Sequence, residues 1–238
     1  MNILLYHLGT AFDCFIASSV HKGILDKYPE INIYWLISNN IINVFQYSKN
    51  VKKVFCPDNP PDVDVDICLN LYPVDLNAIT DKADIKGGLG QDLCLNKFND
   101  ILCGSKKTQM NIFEVYYKIC GLNWNKQKSD IQYYPRNKSR INRVGIAIKD
   151  SKLNSYISSN LDIKDMKLWK VPNKINIFKQ LDEINRCNYI ITDDFMILNL
   201  STYLKKYVYY LSKDSNNTKP EMFRNGEIFN ISNLNILS

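Results

Sequence analysis

The sequence opens with MNILLYHLGTAFDCFIASSV, residues 1–20, which combines a strand pattern, a glycine turn and a helix pattern. Residues 2–6 form a short apolar run that is typical of a buried parallel strand. Gly9 permits a sharp turn, and from Ala11 onward apolar residues recur at helical spacing. We therefore expect Asp13 in the first turn of a helix, at the carboxyl end of the first strand. Open α/β sheets bind ligands at that edge, although an acid there also simply complements the helix dipole.

The composition restricts the class of protein. The chain is 45% hydrophobic, which is ordinary for a soluble protein. No apolar run approaches the roughly 20 residues that a membrane helix needs, and no basic region precedes the first apolar segment, so we expect neither a membrane span nor a signal peptide. The seven cysteines are scattered without a CxxC pair, and there are only two histidines. This usage predicts reduced thiols, no metal site and a cytoplasmic protein.

The charge and the missing motifs narrow the chemistry further. A formal net charge of +6 favours acidic partners, such as phosphorylated sugars, anionic lipid headgroups or nucleic acid, without choosing among them. A peripheral position at the inner face of a membrane is therefore an alternative location. The sequence contains no GxGxxG, Walker A, GxSxG or HExxH motif, so dinucleotide, P-loop, serine-hydrolase and zinc-peptidase chemistry gain no support.

Strand and helix patterns alternate along the first half of the chain. Strands are predicted at residues 31–37, 51–55 and 65–71, and helices at residues 39–47, 91–103 and 109–120. This alternation predicts right-handed βαβ units and a mostly parallel sheet. The polar segment 135–143, PRNKSRINR, follows and has the composition of a linker, although a solvated loop inside one domain would have the same composition.

The alternating pattern restarts after this segment. Strands are predicted at residues 144–148, 167–171, 189–192 and 207–211, helices at residues 154–160, 175–185 and 195–204, and a last segment at residues 226–237. We therefore predict an α/β protein with two Rossmann-like domains and mostly parallel sheets. The first domain would comprise residues 1–138 and the second residues 139–238.

The second half carries its own candidate site. Asp193 and Asp194 follow the strand at residues 189–192 and precede a helix, where backbone N–H groups bind phosphate and acids bind sugar hydroxyls. Capping of that helix is an equally good explanation for the two acids. Lys149 and Lys152 lie in the first polar turn of this half and are natural cations for a diphosphate, with a solvated turn as the alternative.

Two segments carry a resemblance to a known family. The first is His7-Leu8-Gly9-Thr10-Ala11-Phe12-Asp13, in which Leu8, Gly9 and Asp13 have the spacing of the family motif. The second is IITDDFMILNLS, residues 190–201, which keeps the Asp and the Leu of a second motif as Asp194 and Leu200. In this order they resemble the motifs of glycosyltransferase family 9, the ADP-heptose:lipopolysaccharide heptosyltransferases and their relatives. Elements between the motifs are also similar, namely Tyr28-Pro29, residues 51–55 and Cys120-Gly121-Leu122.

The chain departs from the family pattern at four positions. His7 stands where the family has its basic residue, and Phe12 stands at its second glycine. Met196 stands where the second motif has a glycine, and Asn199 stands where that motif has a histidine. The resemblance therefore supports the fold more strongly than the activity.

The resemblance implies a GT-B fold, in which two Rossmann-like domains face each other across a cleft. It implies that the donor nucleotide sugar binds the C-terminal domain as a co-substrate, without a metal or cofactor, and that the acceptor binds the N-terminal domain. Asp13 then corresponds to the base that takes a proton from the acceptor hydroxyl, and Gly9 and Thr10 form backbone of the cleft. The expected donor-binding residues are Lys149, Ser151, Lys152, Asp193, Asp194 and Asn199.

These observations predict a metal-independent glycosyltransferase that moves a sugar from a nucleotide sugar to a glycan or lipid-linked saccharide of the lipopolysaccharide or surface-glycan type. One alternative is a phage-type glycosyltransferase that acts on a modified nucleic-acid base, since the basic segment 135–143 suits a polyanion. Another is a non-catalytic nucleotide-binding relative, which Met196 and Asn199 favour. A third is an α/β enzyme for another ligand, such as a nucleotide-sugar hydrolase or an epimerase-like enzyme.

Overall fold

The chain folds into two compact units, each with its own parallel sheet. The computed structural model describes residues 1–72, 112–136, 143–160, 167–171, 176–212 and 226–230. The units are Met1–Gln132 and Tyr133–Ser238, so the division lies just before the basic segment 135–143. The predicted helix at residues 91–103 lies outside the described residues.

The described part of the first unit contains four parallel strands and three α-helices. These are β1 (Asn2–His7), α1 (Ala11–Ala17), α2 (Val20–Lys27), β2 (Asn32–Ile37), β3 (Val51–Phe55), β4 (Ile67–Asn70) and α3 (Ile112–Ile119). The strand order is β3-β2-β1-β4. The helix predicted at residues 39–47 is a 3₁₀ helix, Asn39–Phe45, between β2 and β3.

β1 lies at the centre of this sheet and is buried on both faces. Leu4, Leu5 and Tyr6 have no exposed surface. Leu5 lies opposite Trp35 of β2 on one side and opposite Leu69 of β4 on the other. This central position explains the continuous apolar run in the sequence, because a parallel strand covered on both faces has no solvent side on which to place polar residues.

The second unit repeats the same kind of architecture. Its described elements are β5 (Arg143–Ala147), α4 (Ser151–Asn160), β6 (Lys167–Lys170), α5 (Ile177–Asn185), β7 (Tyr189–Thr192), α6 (Phe195–Tyr203), β8 (Tyr207–Ser212) and β9 (Gly226–Asn230). The strand order is β6-β5-β7-β8-β9, and all neighbours are parallel. The prediction of an α/β fold with mostly parallel sheets is confirmed. Within the described ranges, no helix is both long enough and apolar enough to cross a bilayer.

α4 begins earlier than the predicted start at residue 154 because Asp150 caps it. Asp150 Oδ1 accepts the backbone N–H groups of Lys152 and Leu153, each at 3.1 Å. A carboxylate that bonds to the first amides of a helix stabilises that end even where the hydrophobic spacing is weak. The periodicity of the sequence therefore located the helix but not its beginning.

Gly145 in β5 leaves no room for a side chain. A Cβ atom at this position would lie 2.6 Å from Ile190 Cδ1, 3.1 Å from Cys187 Sγ and 3.2 Å from Val171 Cγ2. We expect Gly145→Ala to lower the free energy of unfolding by about 1–3 kcal/mol, because packed side chains would have to move to admit the methyl group. Denaturant unfolding followed by circular dichroism measures this change.

A double variant tests whether the Ile190 side chain is what excludes a methyl group at position 145. Ile190→Val removes the Cδ1 atom that lies nearest to the new methyl group. We expect Gly145→Ala to cost less in the Ile190→Val background than in the wild type. An equal cost in both backgrounds would show that Ile190 is not what excludes the side chain.

Candidate functional site

Thr10 and Asp13 close the turn between β1 and α1 with a capping box. The N–H and the hydroxyl of Thr10 donate to Asp13 Oδ2 at 2.8 Å and 2.7 Å, and the Asp13 N–H donates to Thr10 Oγ1 at 3.3 Å. Asp13 therefore has the helix-capping role that was one interpretation of its position. Its other oxygen, Oδ1, has no hydrogen-bond partner among the described residues, so capping leaves half of the carboxylate unused.

His7 supports this turn from the end of β1. The side chain is 2% exposed. Its Nδ1 accepts the N–H of Gly9 at 3.0 Å, so the neutral ring carries its proton on Nε2, which donates to the Tyr116 hydroxyl at 3.0 Å. Burial lowers the pKa of His7 to about 4, although the charge of Asp13 offsets part of this effect. The ring is therefore uncharged at neutral pH.

Gly9 is enclosed by the two side chains that flank it. A Cβ atom at Gly9 would lie 2.4 Å from His7 Cε1 and 2.8 Å from Asp13 Oδ2. The imidazole and the carboxylate thus approach the same side of the glycine, and no larger residue fits there without displacing one of them. The turn depends on a close approach of side chains to the backbone.

The sequence points to His7 only as the residue at the basic position of the family motif, and it does not point to Tyr116. Residues 7 and 116 are 109 positions apart, and α3, which carries Tyr116, packs against α1 and α2. The resemblance to the family placed a basic residue at position 7. The structure differs, because the desolvated ring of His7 has a pKa of about 4 and contributes no positive charge to the turn at neutral pH.

The buried neutral His7 predicts a loss of stability in acid. An unfolded histidine has a pKa of about 6.5, whereas the folded pKa of His7 is about 4. Between these values the unfolded chain binds a proton that the folded chain does not, so the free energy of unfolding decreases as the pH falls through this window. Across the whole window this proton uptake lowers the free energy of unfolding by about 3 kcal/mol.

His7→Gln is the matched variant, since glutamine has a donor and an acceptor but does not titrate. We expect its free energy of unfolding to depend less on pH than that of the wild type between about pH 6.5 and about pH 4. Urea unfolding across this range gives both curves. Parallel curves for the two proteins would show that His7 does not take up a proton on unfolding.

In the second unit, two neighbouring turns meet at the carboxyl edge of the sheet. One turn joins β5 to α4 and the other joins β7 to α6, and β5 and β7 are adjacent strands. Asp193 Oδ1 accepts the N–H of Lys149 at 2.7 Å, and Asp193 Oδ2 accepts the N–H of Asp150 at 3.2 Å. Lys149 Nζ lies 3.1 Å from Asp194 Oδ2. Two of the predicted acids are thus bonded directly to the turn that holds the predicted lysines.

Asp194 caps its own helix as well as pairing with the lysine. Its Oδ1 accepts the N–H of Met196 at 2.8 Å, and its own N–H donates to Thr192 Oγ1 at 2.9 Å. The carboxylate is 4% exposed. A carboxylate buried to this degree needs a counter-charge, which Lys149 provides. The sequence left open which of Asp193 and Asp194 caps the helix, and the structure assigns the cap to Asp194.

The other predicted donor residues differ in their surroundings. Ser151 and Lys152 are the first two residues of α4, and both side chains are exposed beside the turn. Asn199 lies one turn into α6 and is 9% exposed. Its amide nitrogen donates to the carbonyl oxygen of Phe195 at 2.7 Å. The described hydrogen bond of Asn199 is therefore made within its own helix.

His21 belongs to a separate buried cluster with a structural role. Its Nε2 accepts the indole N–H of Trp35 at 2.8 Å, so Nδ1 carries the proton and donates to Asp130 Oδ2 at 2.9 Å. Ser48 and Asn50 also donate to this carboxylate. Burial raises the pKa of Asp130, but these hydrogen bonds outweigh burial and hold it below the ordinary value. Through these hydrogen bonds the segment around Asp130, near the C-terminal end of the first unit, is bound to α2, and α2 is bound to β2.

Comparison with known proteins gives matches by structure. No family model and no curated protein matches the sequence. A glycosyl transferase family 9 structure from Veillonella parvula DSM 2008 matches with a TM-score of 0.66 at 11% identity, over 96% of this chain and 86% of that one. The E. coli ADP-heptose lipopolysaccharide heptosyltransferase II matches with a TM-score of 0.61 at 11% identity, over 96% and 90%. E. coli heptosyltransferase WaaC with ADP-2-deoxy-2-fluoro heptose matches with 0.58 at 9%, over 96% and 93%.

These matches define the fold. The chain has the architecture of GT-B glycosyltransferases, with two parallel-sheet α/β units. More narrowly, the matched structures are family 9 enzymes, so the resemblance predicted from residues 7–13 and 190–201 is confirmed for the fold. At identities of 11% and 9%, these matches show a common arrangement of strands and helices and do not show a common activity.

Proposed function

We propose that this protein is a glycosyltransferase that moves a sugar from a nucleoside diphosphate sugar to a hydroxyl group of a saccharide. A fold alone admits many activities, so the proposal rests on one observation in the second unit. The lysines and acids predicted to bind the donor collect on the two adjacent turns at the carboxyl edge of its sheet. Cations and helix N-termini at such an edge are suited to nucleotide phosphates.

The second unit is the proposed donor-binding unit. Lys152 is exposed in the first turn of α4 and would contact the diphosphate, with Lys149 beside it. Asp194 would face hydroxyls of the sugar or the ribose. These lysines and the helix N-termini would supply the positive charge that stabilises the leaving diphosphate, so we propose catalysis without a metal. The ADP-sugar in the WaaC structure makes ADP-sugars the first donors to test.

Asp13 is the base in this proposal. Its unused Oδ1 takes the proton of the acceptor hydroxyl as that oxygen attacks the anomeric carbon of the donor. The bond from the anomeric carbon to the diphosphate oxygen then breaks, and the diphosphate leaves with the electron pair. Thr10 holds the other carboxylate oxygen through two hydrogen bonds, so the base keeps one orientation.

The first unit would bind the acceptor, which we propose to be a glycan or lipid-linked saccharide, met in the cytoplasm or at the inner face of a membrane. A modified nucleic-acid base is the alternative acceptor for the same chemistry. A non-catalytic nucleotide-binding protein is the second candidate function. The contact of Asn199 with Phe195 favours it, because that amide is engaged in its own helix at the position where the family motif has a histidine.

Donor binding is the first test. We expect one class among ADP-, UDP-, GDP- and CDP-sugars to raise the melting temperature of the full chain, because a ligand that binds only the folded protein stabilises it. Lys152→Ala should weaken binding of that donor about 10- to 100-fold through loss of a charge-assisted contact. Lys128→Ala, in the first unit, is the control. Unchanged affinity in Lys152→Ala would remove Lys152 from the donor site.

Transfer activity is the second test. Asp13→Asn keeps the shape and an acceptor for the Thr10 N–H but removes the proton acceptor. We expect turnover to fall about 10²–10⁴-fold while donor affinity persists, since the donor is assigned to the other unit. Asp26→Asn removes the same charge from an exposed position on α2 and should keep full turnover.

The outcomes of this test separate the candidate functions. Unchanged turnover in an active Asp13→Asn enzyme would place the base elsewhere. If the wild type transfers no sugar from any donor that it binds, and Asp13→Asn changes only stability, the protein is a nucleotide-binding relative and Asp13 only caps α1.

A further inference from the structure

The backbone amides at the start of the β5–α4 turn already hold an anion. The carboxylate of Asp193 spans the N–H groups of Lys149 and Asp150, with one oxygen on each at 2.7 Å and 3.2 Å. Two adjacent amides that converge on one anion are the arrangement with which such turns bind phosphate. Here the anion comes from the neighbouring β7–α6 turn of the same unit.

The other two acids at this edge, Asp150 and Asp194, also accept hydrogen bonds from backbone N–H groups. Asp150 accepts the N–H groups of Lys152 and Leu153. Asp194 accepts the N–H of Met196 and pairs with Lys149. The two turns therefore carry three carboxylates against the two lysines. A diphosphate that entered this edge would have to compete with the carboxylate that already occupies the Lys149 and Asp150 amides.

Asp193 differs from the other two acids because it caps no helix of its own. Its two described hydrogen bonds both cross from one turn to the other, whereas Asp150 and Asp194 bond to amides two or three positions further along the chain. The Asp193 side chain is also less buried than that of Asp194. Of the three carboxylates, Asp193 is the one that can rotate away without uncapping a helix.

We propose that Asp193 is an internal competitor of the donor, whose carboxylate holds the Lys149 and Asp150 amides until a phosphate group of a nucleoside diphosphate displaces it. This inference rests on the proposed function and adds the regulation of the same site. Displacement releases the carboxylate toward solvent and leaves two N–H donors for phosphate oxygens. Asp193 therefore sets the affinity for the donor without being required for binding it.

Removal of the Asp193 side chain from the binding edge should tighten the binding of a diphosphate. We expect Asp193→Ala to bind the diphosphate of the donor class, for example ADP, about tenfold more tightly than the wild type, because one like charge and one competitor are lost. Asp193→Asn should show a smaller gain, since its amide oxygen still accepts one N–H. Isothermal titration calorimetry on the full chain measures the affinities.

Controls separate competition from a general effect on the fold. The corresponding uncharged nucleoside, for example adenosine, should bind all variants equally, because it brings no phosphate to the amides. Asp62→Asn removes one negative charge from an exposed ion pair in the first unit and should leave the affinity for the diphosphate unchanged. The gain in Asp193→Ala should shrink as salt is raised.

Each result bears on the proposal. Equal or weaker binding of the diphosphate by both Asp193→Ala and Asp193→Asn, with the wild type binding it, would overturn the competition while leaving the proposed function standing. A loss of binding in both variants would make Asp193 a direct donor ligand instead. Failure of every nucleoside diphosphate to bind the wild type and both variants would overturn the proposed function together with this inference.

Discussion

The first amides of a helix have no partner within the helix, and this constraint organises the ends of the strands in both units. Asp13 with Thr10 closes the amides after β1, Asp150 those of α4 and Asp194 those of α6. The same position in the fold therefore carries an acid for a structural reason before any function is considered. A ligand that binds at these edges must use what capping leaves over, or compete with it.

The free helix amides are satisfied in a different way in each of the two units. In the first unit the capping carboxylate keeps one oxygen outside its hydrogen bonds, and a neutral His7 supports the turn from behind. Burial of the imidazole removes its charge at neutral pH, so the turn is held by geometry and packing. In the second unit the carboxylates bond across two turns and to Lys149, so charge dominates that edge. The proposed sugar transfer would use the free carboxylate oxygen of the first unit as base and the two turns of the second unit as the phosphate site.

The family resemblance illustrates how little of a sequence a fold needs. Two of the matched structures are only 11% and 9% identical to this chain, yet each aligns over 96% of its length, with TM-scores of 0.66 and 0.58. A parallel sheet requires apolar strands, turns and amphipathic helices in order, and many residues satisfy each requirement. Phe12, Met196 and Asn199 stand at positions where the sequence departs from the motifs that it resembles, and the fold tolerates these departures.

Local pattern in the sequence determined the alternation of strands and helices, the parallel sheets, and the position of Asp13, Asp193 and Asp194 at strand ends, because periodicity and capping act over a few residues. Tertiary structure alone decided which amides Asp193 holds, that Lys149 pairs with Asp194, and that His7 meets Tyr116. These contacts join residues 43 to 109 positions apart. They follow from strand order and helix packing, which single-residue patterns do not encode.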